Sequence, residues 1–347
     1  MMSGGVDSSV AAAVLRDEGH EVVGATLKLW GGASDSGCCS VRDVDDARRV
    51  ADRLGIEHHT FGFTDAFERH VVDPYVADHA AGRTPNPCIE CNRHLKFDAA
   101  DARARALGFD AVATGHHARI VEHADGTRRL ARGADRAKDQ SYVLHVLDQE
   151  RLARTLLPIG HLTKAEVRAV AADLGLRTAA KPDSQDVCFI TRADGRRRFL
   201  SERTTLTPAA VVDRSGAPVG AVDAVELVTV GQRRGLGLAG GAAPRYVVEV
   251  DRDAGRVVVG DRADLDVDAQ PVDGLAWAAG PVVGPIAGPV EVQVSAHGPT
   301  ATAVIEPDGA DPTRATVRWA RPHARVAAGQ SVVAYVDDEV VGGARAR

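Results

Sequence analysis

The stretch Ser3-Gly4-Gly5-Val6-Asp7-Ser8-Ser9 constrains this chain more than any other, because an apolar run, Val10-Ala11-Ala12-Ala13-Val14-Leu15, follows it without a break. Adjacent glycines let the backbone aim its N–H groups at one point, and the helix that follows presents the positive end of its dipole there. Ser3, Ser8 and Ser9 add hydroxyl donors, and Asp7 is placed to hold a magnesium ion bridging phosphates. A Gly-Gly pair with a Ser/Asp cap also suits a plain helix start, but the seven residues together read as an anion cradle. The Lys that closes a Walker A loop is missing, which disfavours ordinary P-loop kinase or GTPase chemistry.

A loop of this kind normally follows a buried parallel strand, and only Met1 and Met2 precede it. The expectation is that a first strand is missing or that the true start lies upstream, and that restoring such a strand stabilises the protein. The first half then alternates helix and strand. A helix from Asp7 stops at Gly19, residues 21–27 read as a strand, and Ser40 caps a helix with Val44, Ala47, Val50, Ala51 and Leu54 on one face, closed by Gly55. Residues 56–63 form a second strand. A helix over 64–80 is bent or ended near Pro74, and after the loop 82–92 a helix carries Leu95, Phe97, Ala104 and Leu107 to Gly108. Residues 110–115 form a short buried strand. This rhythm predicts a parallel sheet covered by helices, with its ligand at the carboxyl ends of the strands.

Residues 118–130 read as a hairpin turning at Asp125-Gly126, and Thr163-Lys164-Ala165-Glu166 as a capping box that starts a helix ended by Gly175. Past Phe199 the pattern turns to short strands, and beyond Leu275 apolar and polar residues alternate cleanly, as in a small barrel. The expected division is an α/β domain over 1–200, a small β-rich domain over 201–268 and a β-barrel over 269–347. A length of 347 residues agrees with more than one core. No apolar stretch reaches the length of a membrane span, so the expected setting is the cytoplasm with no membrane partner. The net charge of −6 argues against a uniformly basic nucleic-acid binder but leaves room for local basic patches.

Five cysteines in such a chain point to metal or redox chemistry rather than a disulfide scaffold. Thr84-Pro85-Asn86-Pro87-Cys88-Ile89-Glu90-Cys91-Asn92 is held extended by two X-Pro steps, and Cys91 is expected just before a helix, whose dipole lowers a thiol pKa. Cys188 lies in a polar loop, Lys181-Pro182-Asp183-Ser184-Gln185-Asp186-Val187-Cys188, and Cys38-Cys39 in a Gly/Ser loop. A lone Cys-x-x-Cys suits half a zinc site, a redox pair or coincidence, and no second pair has zinc-ribbon spacing.

Taken in order, the motifs converge. The opening loop resembles that of the ATP pyrophosphatases, which split ATP between its α- and β-phosphates. With it stand Gly82-Arg83-Thr84-Pro85-Asn86-Pro87, Cys91-Asn92, Ala113-Thr114-Gly115-His116, Lys138-Asp139-Gln140-Ser141-Tyr142, and Asp183-Ser184 with Cys188-Phe189-Ile190. Gly231-Gln232-Arg233-Arg234-Gly235-Leu236-Gly237 and Gly329-Gln330-Ser331 follow. Over nearly its whole length the chain resembles the bacterial tRNA-specific 2-thiouridylases.

The resemblance implies a fold of the adenine-nucleotide α-hydrolase kind for the first domain, and ATP-dependent thiolation of the wobble uridine of tRNA. ATP, with Mg2+, adenylates the C2 oxygen; sulfur from a persulfide, supplied by a cysteine desulfurase or a sulfur-relay protein, then displaces AMP. It implies that Cys188 carries the persulfide and that Cys91 is its partner nucleophile. Met1, Met2, Ser3, Gly4, Gly5, Val6, Asp7, Ser8, Leu27 and Gly115 are implied to contact ATP. Asn86, Pro87 and Cys88 are implied to meet the target base, and His116, Lys138, Asp139, Gln140 and Gln330 to contact tRNA. Two basic clusters, Arg128, Arg129, Arg132, Arg136 and Lys138, and Arg192, Arg196, Arg197 and Arg198, suit phosphate tracking, although such runs are usually solvated faces.

Some family members carry an aspartate, proposed as acid or base, where this chain has Cys88, so that role does not transfer. The substitution gives three thiols, Cys88, Cys91 and Cys188, the number with which other tRNA-thiolating enzymes hold a [4Fe-4S] cluster. A cluster is therefore the alternative to the persulfide and disulfide route. Two rival readings are a ligase or amidotransferase-like synthetase with the same loop, which needs no paired cysteines, and a zinc-stabilised RNA-binding module.

Overall fold

The computed structural model describes residues 1–30, 40–183, 187–190, 195–238, 243–278 and 288–347. Cys38-Cys39, Ser184, Arg192 and residues 280–287 of the Gly/Pro-rich stretch lie outside the described residues. The apolar run after the glycine loop forms α1 (Val6–Asp17). The Ser8 and Ser9 hydroxyls donate to the Gly5 carbonyl at 3.1 and 2.8 Å, and Ser8 Oγ accepts from the Ser3 N–H at 3.1 Å. These bonds lock the loop to the first helical turn, where no side chain caps Gly5. Ser9, expected as a ligand donor, is fully buried and engaged by the backbone. Val10, Ala11, Ala12 and Ala13 are all buried, and burying the Val10 side chain alone contributes roughly 1.5–3 kcal/mol.

Next come β1 (Gly24–Lys28), α2 (Val41–Leu54) and β2 (His58–Gly62). Ser40 Oγ accepts the Asp43 N–H, and Gly55, at φ 70°, ends the helix, as the sequence predicts. The predicted bent helix over 64–80 is α3 (Thr64–Phe67), a π-helical stretch (Glu68–Val72) and α4 (Asp73–Ala80). Pro74 lacks the N–H that would continue the α ladder, and the π stretch lies just before it. A second irregular helix consists of α5 (Pro87–Glu90), a nine-residue π-helix (Cys91–Ala99) and α6 (Ala100–Ala106).

Short strands and helices complete the α/β part: β3 (Val112–Ala113), β4 (Ala118–Glu122), β5 (Arg128–Arg132), α7 (Ser141–Leu144), α8 (Gln149–Ala153), β6 (Thr155–Leu156), α9 (Lys164–Asp173) and α10 (Gly195–Ser201). The Thr163 capping box that opens α9 has both of its reciprocal bonds. β1 and β2 run parallel, as do β3 and β6. Met1 and Met2 lie between the two pairs: the Met2 N–H donates to Ala25 O at 2.7 Å, and the Met1 nitrogen donates to Ala113 O. Helices α1, α2 and α9 share one core through Val10, Ala47, Val50, Val167 and Ala171.

The second half is β-rich. β7 (Ala209–Asp213), β8 (Pro218–Val222), β9 (Tyr246–Asp251) and β10 (Arg256–Gly260) form one sheet in the order β8-β7-β10-β9, with β7 and β10 parallel. β11 (Asp266–Trp277), β12 (Val290–Gln293), β13 (Thr300–Pro307), β14 (Ala315–Ala324), β15 (Ser331–Val336) and β16 (Glu339–Ala346) follow. They pair in the order β11-β14-β13-β12-β15-β16, and β16 returns to β11, so the six strands close into a barrel without open edges. The β4–β5 hairpin joins this sheet through Glu339 opposite Ala131, a long-range pairing that the local sequence does not signal.

Candidate active site

One cavity of about 380 Å³ lies where the glycine loop, the ends of β1 and β3, the helix after Asn86 and the Cys188 segment meet. Its glycine-loop wall is fixed by contacts that leave no room for a side chain. A Cβ on Gly115 would stand 2.5 Å from the carbonyl carbon of Asp7 and the nitrogen of Ser8, so the end of β3 rests directly on the start of α1. Gly4 has φ +71°, and a Cβ there would meet Asp43 O at 2.2 Å. These are the close backbone approaches for which a cradle uses glycine.

Charged side chains hold this wall from below and from the front. Lys181 Nζ donates to Gly4 O at 2.8 Å and pairs with Asp43 and Asp46 at 2.6 and 2.8 Å. Lys164 Nζ reaches Asp7 Oδ2 at 2.7 Å and Asp183 Oδ1 at 2.9 Å, while His117 Nε2 lies 3.1 Å from Asp7 Oδ1. Burial opposes the Asp7 charge, but hydrogen bonds from His117 and Lys164 outweigh it and hold the carboxyl below its ordinary pKa. Burial likewise opposes the Asp183 charge, and Lys138 with Lys164 pulls its pKa well down. Asp7, expected to hold magnesium, is thus already matched by a lysine.

The thiol side is built differently. Asn86 Oδ1 accepts the Cys88 N–H at 3.1 Å, so the helix starts at Pro87 and Cys88 occupies its first turn. This corrects the expectation for Cys91. The helix begins earlier than its dipole argument assumed, because Asn86 caps it and Pro87 suits its first position. Cys91 instead opens the π-helix and is buried against Leu27, Phe67, Leu95 and Phe189. Cys188 is half-buried, beside Val187 at φ 53°. A β-branched residue rarely adopts that conformation, so the segment carries local strain.

The cavity brings together Met1, Met2, Ser3, Asp7, Ser8, Leu27, Gly115, Pro87, Cys88, Cys91, Cys188, His116, Lys138, Asp139 and Gln140 from the sequence-derived set. Gly4, Gly5 and Val6 shape the loop from beneath, and Asn86 caps its helix; none of the four lines the cavity. Gln330 is in the barrel, where Gly329 packs on Arg83 and Thr84 next to the Asn86 helix.

Asp139 lines the cavity, yet its carboxylate is engaged elsewhere. It accepts from Arg132 at 2.9 Å, from the Gly133 N–H at 3.0 Å and from Ser141 Oγ at 2.8 Å. Gln140 accepts the His117 N–H at 2.9 Å. His116 is buried, with Nδ1 2.7 Å from Thr114 Oγ1. The first basic cluster is matched within the protein, Arg128 by Glu122, Arg129 by Glu339, Arg136 by Asp338 and Lys138 by Asp183.

Among the described residues, no three His, Cys, Asp or Glu side chains are grouped to hold a metal ion. Cys88, Cys91 and Cys188 therefore share the cavity without forming a ligand set for the alternative [4Fe-4S] cluster. Sequence reasoning missed Lys164, Lys181, His117 and Lys96 as site residues. Lys164 had only its capping-box position to mark it, and Lys181 only its place ahead of the Cys188 loop.

Three family profiles match successive parts of the chain. The family profile described as "tRNA methyl transferase HUP domain" matches residues 1–192, one described as a PRC-barrel domain matches 197–261, and one described as an aminomethyltransferase beta-barrel domain matches 275–346. A protein of Moorella thermoacetica named tRNA-specific 2-thiouridylase MnmA is 44% identical over 99% of this chain and 97% of its own. The like-named protein of Mycolicibacterium smegmatis is 47% identical over 97% of this chain and 94% of its own. The chain belongs to the tRNA-specific 2-thiouridylase family. Membership in the 2-thiouridylase family makes it a nucleotide-binding transferase of tRNA modification. Among the described residues no helix is long and apolar enough to cross a membrane.

Proposed function

We propose that this chain uses ATP, entering as its magnesium complex, to activate the C2 oxygen of the wobble uridine in tRNA, and replaces that oxygen with sulfur carried as a persulfide on Cys188. The observation that carries the reading is the single cavity shared by the glycine loop and by Cys88, Cys91 and Cys188. An amide-like carbonyl resists substitution until its oxygen becomes a leaving group. The uridine oxygen bonds to the α-phosphorus, the α–β bridge breaks, and pyrophosphate leaves with the electron pair. The terminal persulfide sulfur then bonds to C2, and the C2–O bond breaks with its pair on AMP. Cys91 thiolate attacks Cys188 Sγ; the sulfur–sulfur bond breaks toward C2, leaving a thiocarbonyl and a Cys91–Cys188 disulfide. The uracil nitrogen recovers its proton, and a thiol reductant resets the pair.

In this reading Ser3, Gly4, Gly5 and Asp7 to Ser8 cradle phosphates, with Met1, Met2, Val6, Leu27 and Gly115 framing the nucleotide. Pro87 and Cys88 meet the flipped base. Lys138, Gln140, His116 and Gln330 face tRNA, and Asp139 orders the turn that presents Lys138 and Gln140. The domain limits 1–200, 201–268 and 269–347, a cytoplasmic setting and a desulfurase or relay donor belong to the same reading. The test incubates the purified chain with unmodified tRNA, MgATP and a persulfide donor, followed by nucleoside mass spectrometry. The expected product is 2-thiouridine, formed only with ATP. Its absence, or its formation without ATP, overturns the proposal.

A further inference from the structure

Six lysine and aspartate side chains line the cavity: Asp7, Lys96, Lys138, Asp139, Lys164 and Asp183. Five of them are matched. Lys164 bridges Asp7 and Asp183, Lys138 holds Asp183 at 2.9 Å, and Arg132 holds Asp139 at 2.9 Å. Lys96 is the exception. Among the described residues no carboxylate lies within ion-pairing distance of its ammonium group, and it makes no side-chain hydrogen bond. A half-buried cation left unmatched, where each neighbouring charge has a partner, is suited to an anion that arrives with substrate.

Its position says which anion. The π-helix carries Lys96 five residues after Cys91, and the wider i to i+5 turn sets Cys91, Asn92 and Lys96 on the cavity. Lys96 also stands close enough to His116, the residue after Gly115 of the glycine-loop wall, to act on it. Burial, joined by the Lys96 charge, keeps that imidazole well below its ordinary pKa, so His116 adds no second cation at neutral pH. Lys96 thus lies between the thiol wall and the glycine-loop wall.

We propose that Lys96 is a catalytic residue of the sulfur-transfer step, binding the phosphate of AMP as it leaves the uridine. This rests on the function proposed above. As the persulfide sulfur bonds to C2 and the C2–O bond breaks, the electron pair passes to the AMP oxygen, and the phosphate gains a negative charge next to the thiol wall. Lys96 offsets that charge from its half-buried place on the cavity wall. In the earlier step the new charge appears on pyrophosphate, on the glycine-loop side, where Lys164 and Lys181 stand. Lys96 therefore acts on the second step more than on the first.

The test uses the full chain with unmodified tRNA, MgATP and a persulfide donor, quenched over a single turnover. Pyrophosphate release and 2-thiouridine are measured separately for wild type, Lys96→Met and Lys96→Arg. Removing a preorganised charge of this kind costs on the order of 100-fold in rate, so Lys96→Met is expected to slow thiouridine formation by about that factor while pyrophosphate release changes by less than about tenfold. Adenylated tRNA then accumulates, and Lys96→Arg restores most of the transfer. A Lys96→Met chain that slows both steps equally or neither, or an Arg variant as defective as Met, overturns the proposal. Wild-type protein that releases no tRNA-dependent pyrophosphate overturns the underlying reading, and the inference with it.

Discussion

The two walls of the cavity are built on opposite plans. The glycine-loop wall is backbone against backbone, with Gly115 on Asp7 and Ser8 and Gly4 on Asp43, clamped by Lys181 and Lys164. The thiol wall consists of side chains on irregular backbone: Cys88 in a capped first turn, Cys91 at the head of a π-helix and Cys188 beside a strained Val187. Under the proposed reaction, the difference follows from what each wall has to do. A phosphate cradle needs fixed N–H groups at the moment of reaction, whereas two sulfurs that meet to form a disulfide must move toward each other.

The sharpest way to separate the walls is to remove one thiol. Cys188→Ser and Cys91→Ser are expected to abolish 2-thiouridine while tRNA-dependent pyrophosphate release continues, both read from the same reaction mixture. Loss of pyrophosphate release as well would mean that the walls are not separate. Gly115→Ala should break the other wall. Its Cβ would overlap Asp7 and Ser8 backbone, with no flexible side chain to yield, so about 1–3 kcal/mol of stability and most pyrophosphate release are expected to disappear. Unchanged melting and turnover would show that the wall is not rigid.

Asp139→Asn acts on the joint between the hairpin and the barrel. It leaves Arg132, 12% exposed, without its counter-charge, and it weakens Ser141, whose hydroxyl reaches Tyr335 at 3.1 Å. Breaking a buried pair costs about 3–5 kcal/mol, read by denaturant unfolding; a change within 1 kcal/mol, about the size of a surface pair, would put Asp139 outside the framework. The smallest effect is in the pH dependence. Asp7 and Asp183 both have depressed pKa values in the folded chain. The unfolded chain therefore binds protons first, and the stability they lend is present above about pH 4 and is lost as pH falls through their folded values. Asp183→Asn should flatten that loss on the acid side. An identical slope would deny the ion-pair network its role.

The glycine-loop wall is readable in the sequence because its signals are local. The Ser/Gly run, the Ser40 and Thr163 caps and the stops at Gly55 and Gly175 each act within a few residues, and the barrel strands announce themselves by alternation. What stayed hidden depends on distance along the chain. Lys164 meets Asp7 across 157 residues, and Glu339 brings the β4–β5 hairpin into the barrel sheet. Neither contact leaves a periodic trace. The Cys91 helix is hidden for another reason: propensity and spacing mark a helix but neither its widening to a π-turn nor its cap at Asn86, so they place Cys91 just before a helix that in fact starts at Pro87.

The most direct test of one cavity serving one reaction is a single turnover of the persulfide-loaded chain, with peptide mass spectrometry for a Cys91–Cys188 disulfide alongside nucleoside analysis. One disulfide should form for each 2-thiouridine, and only when both ATP and tRNA are present. Thiouridine without the disulfide, or the disulfide without ATP, would contradict it.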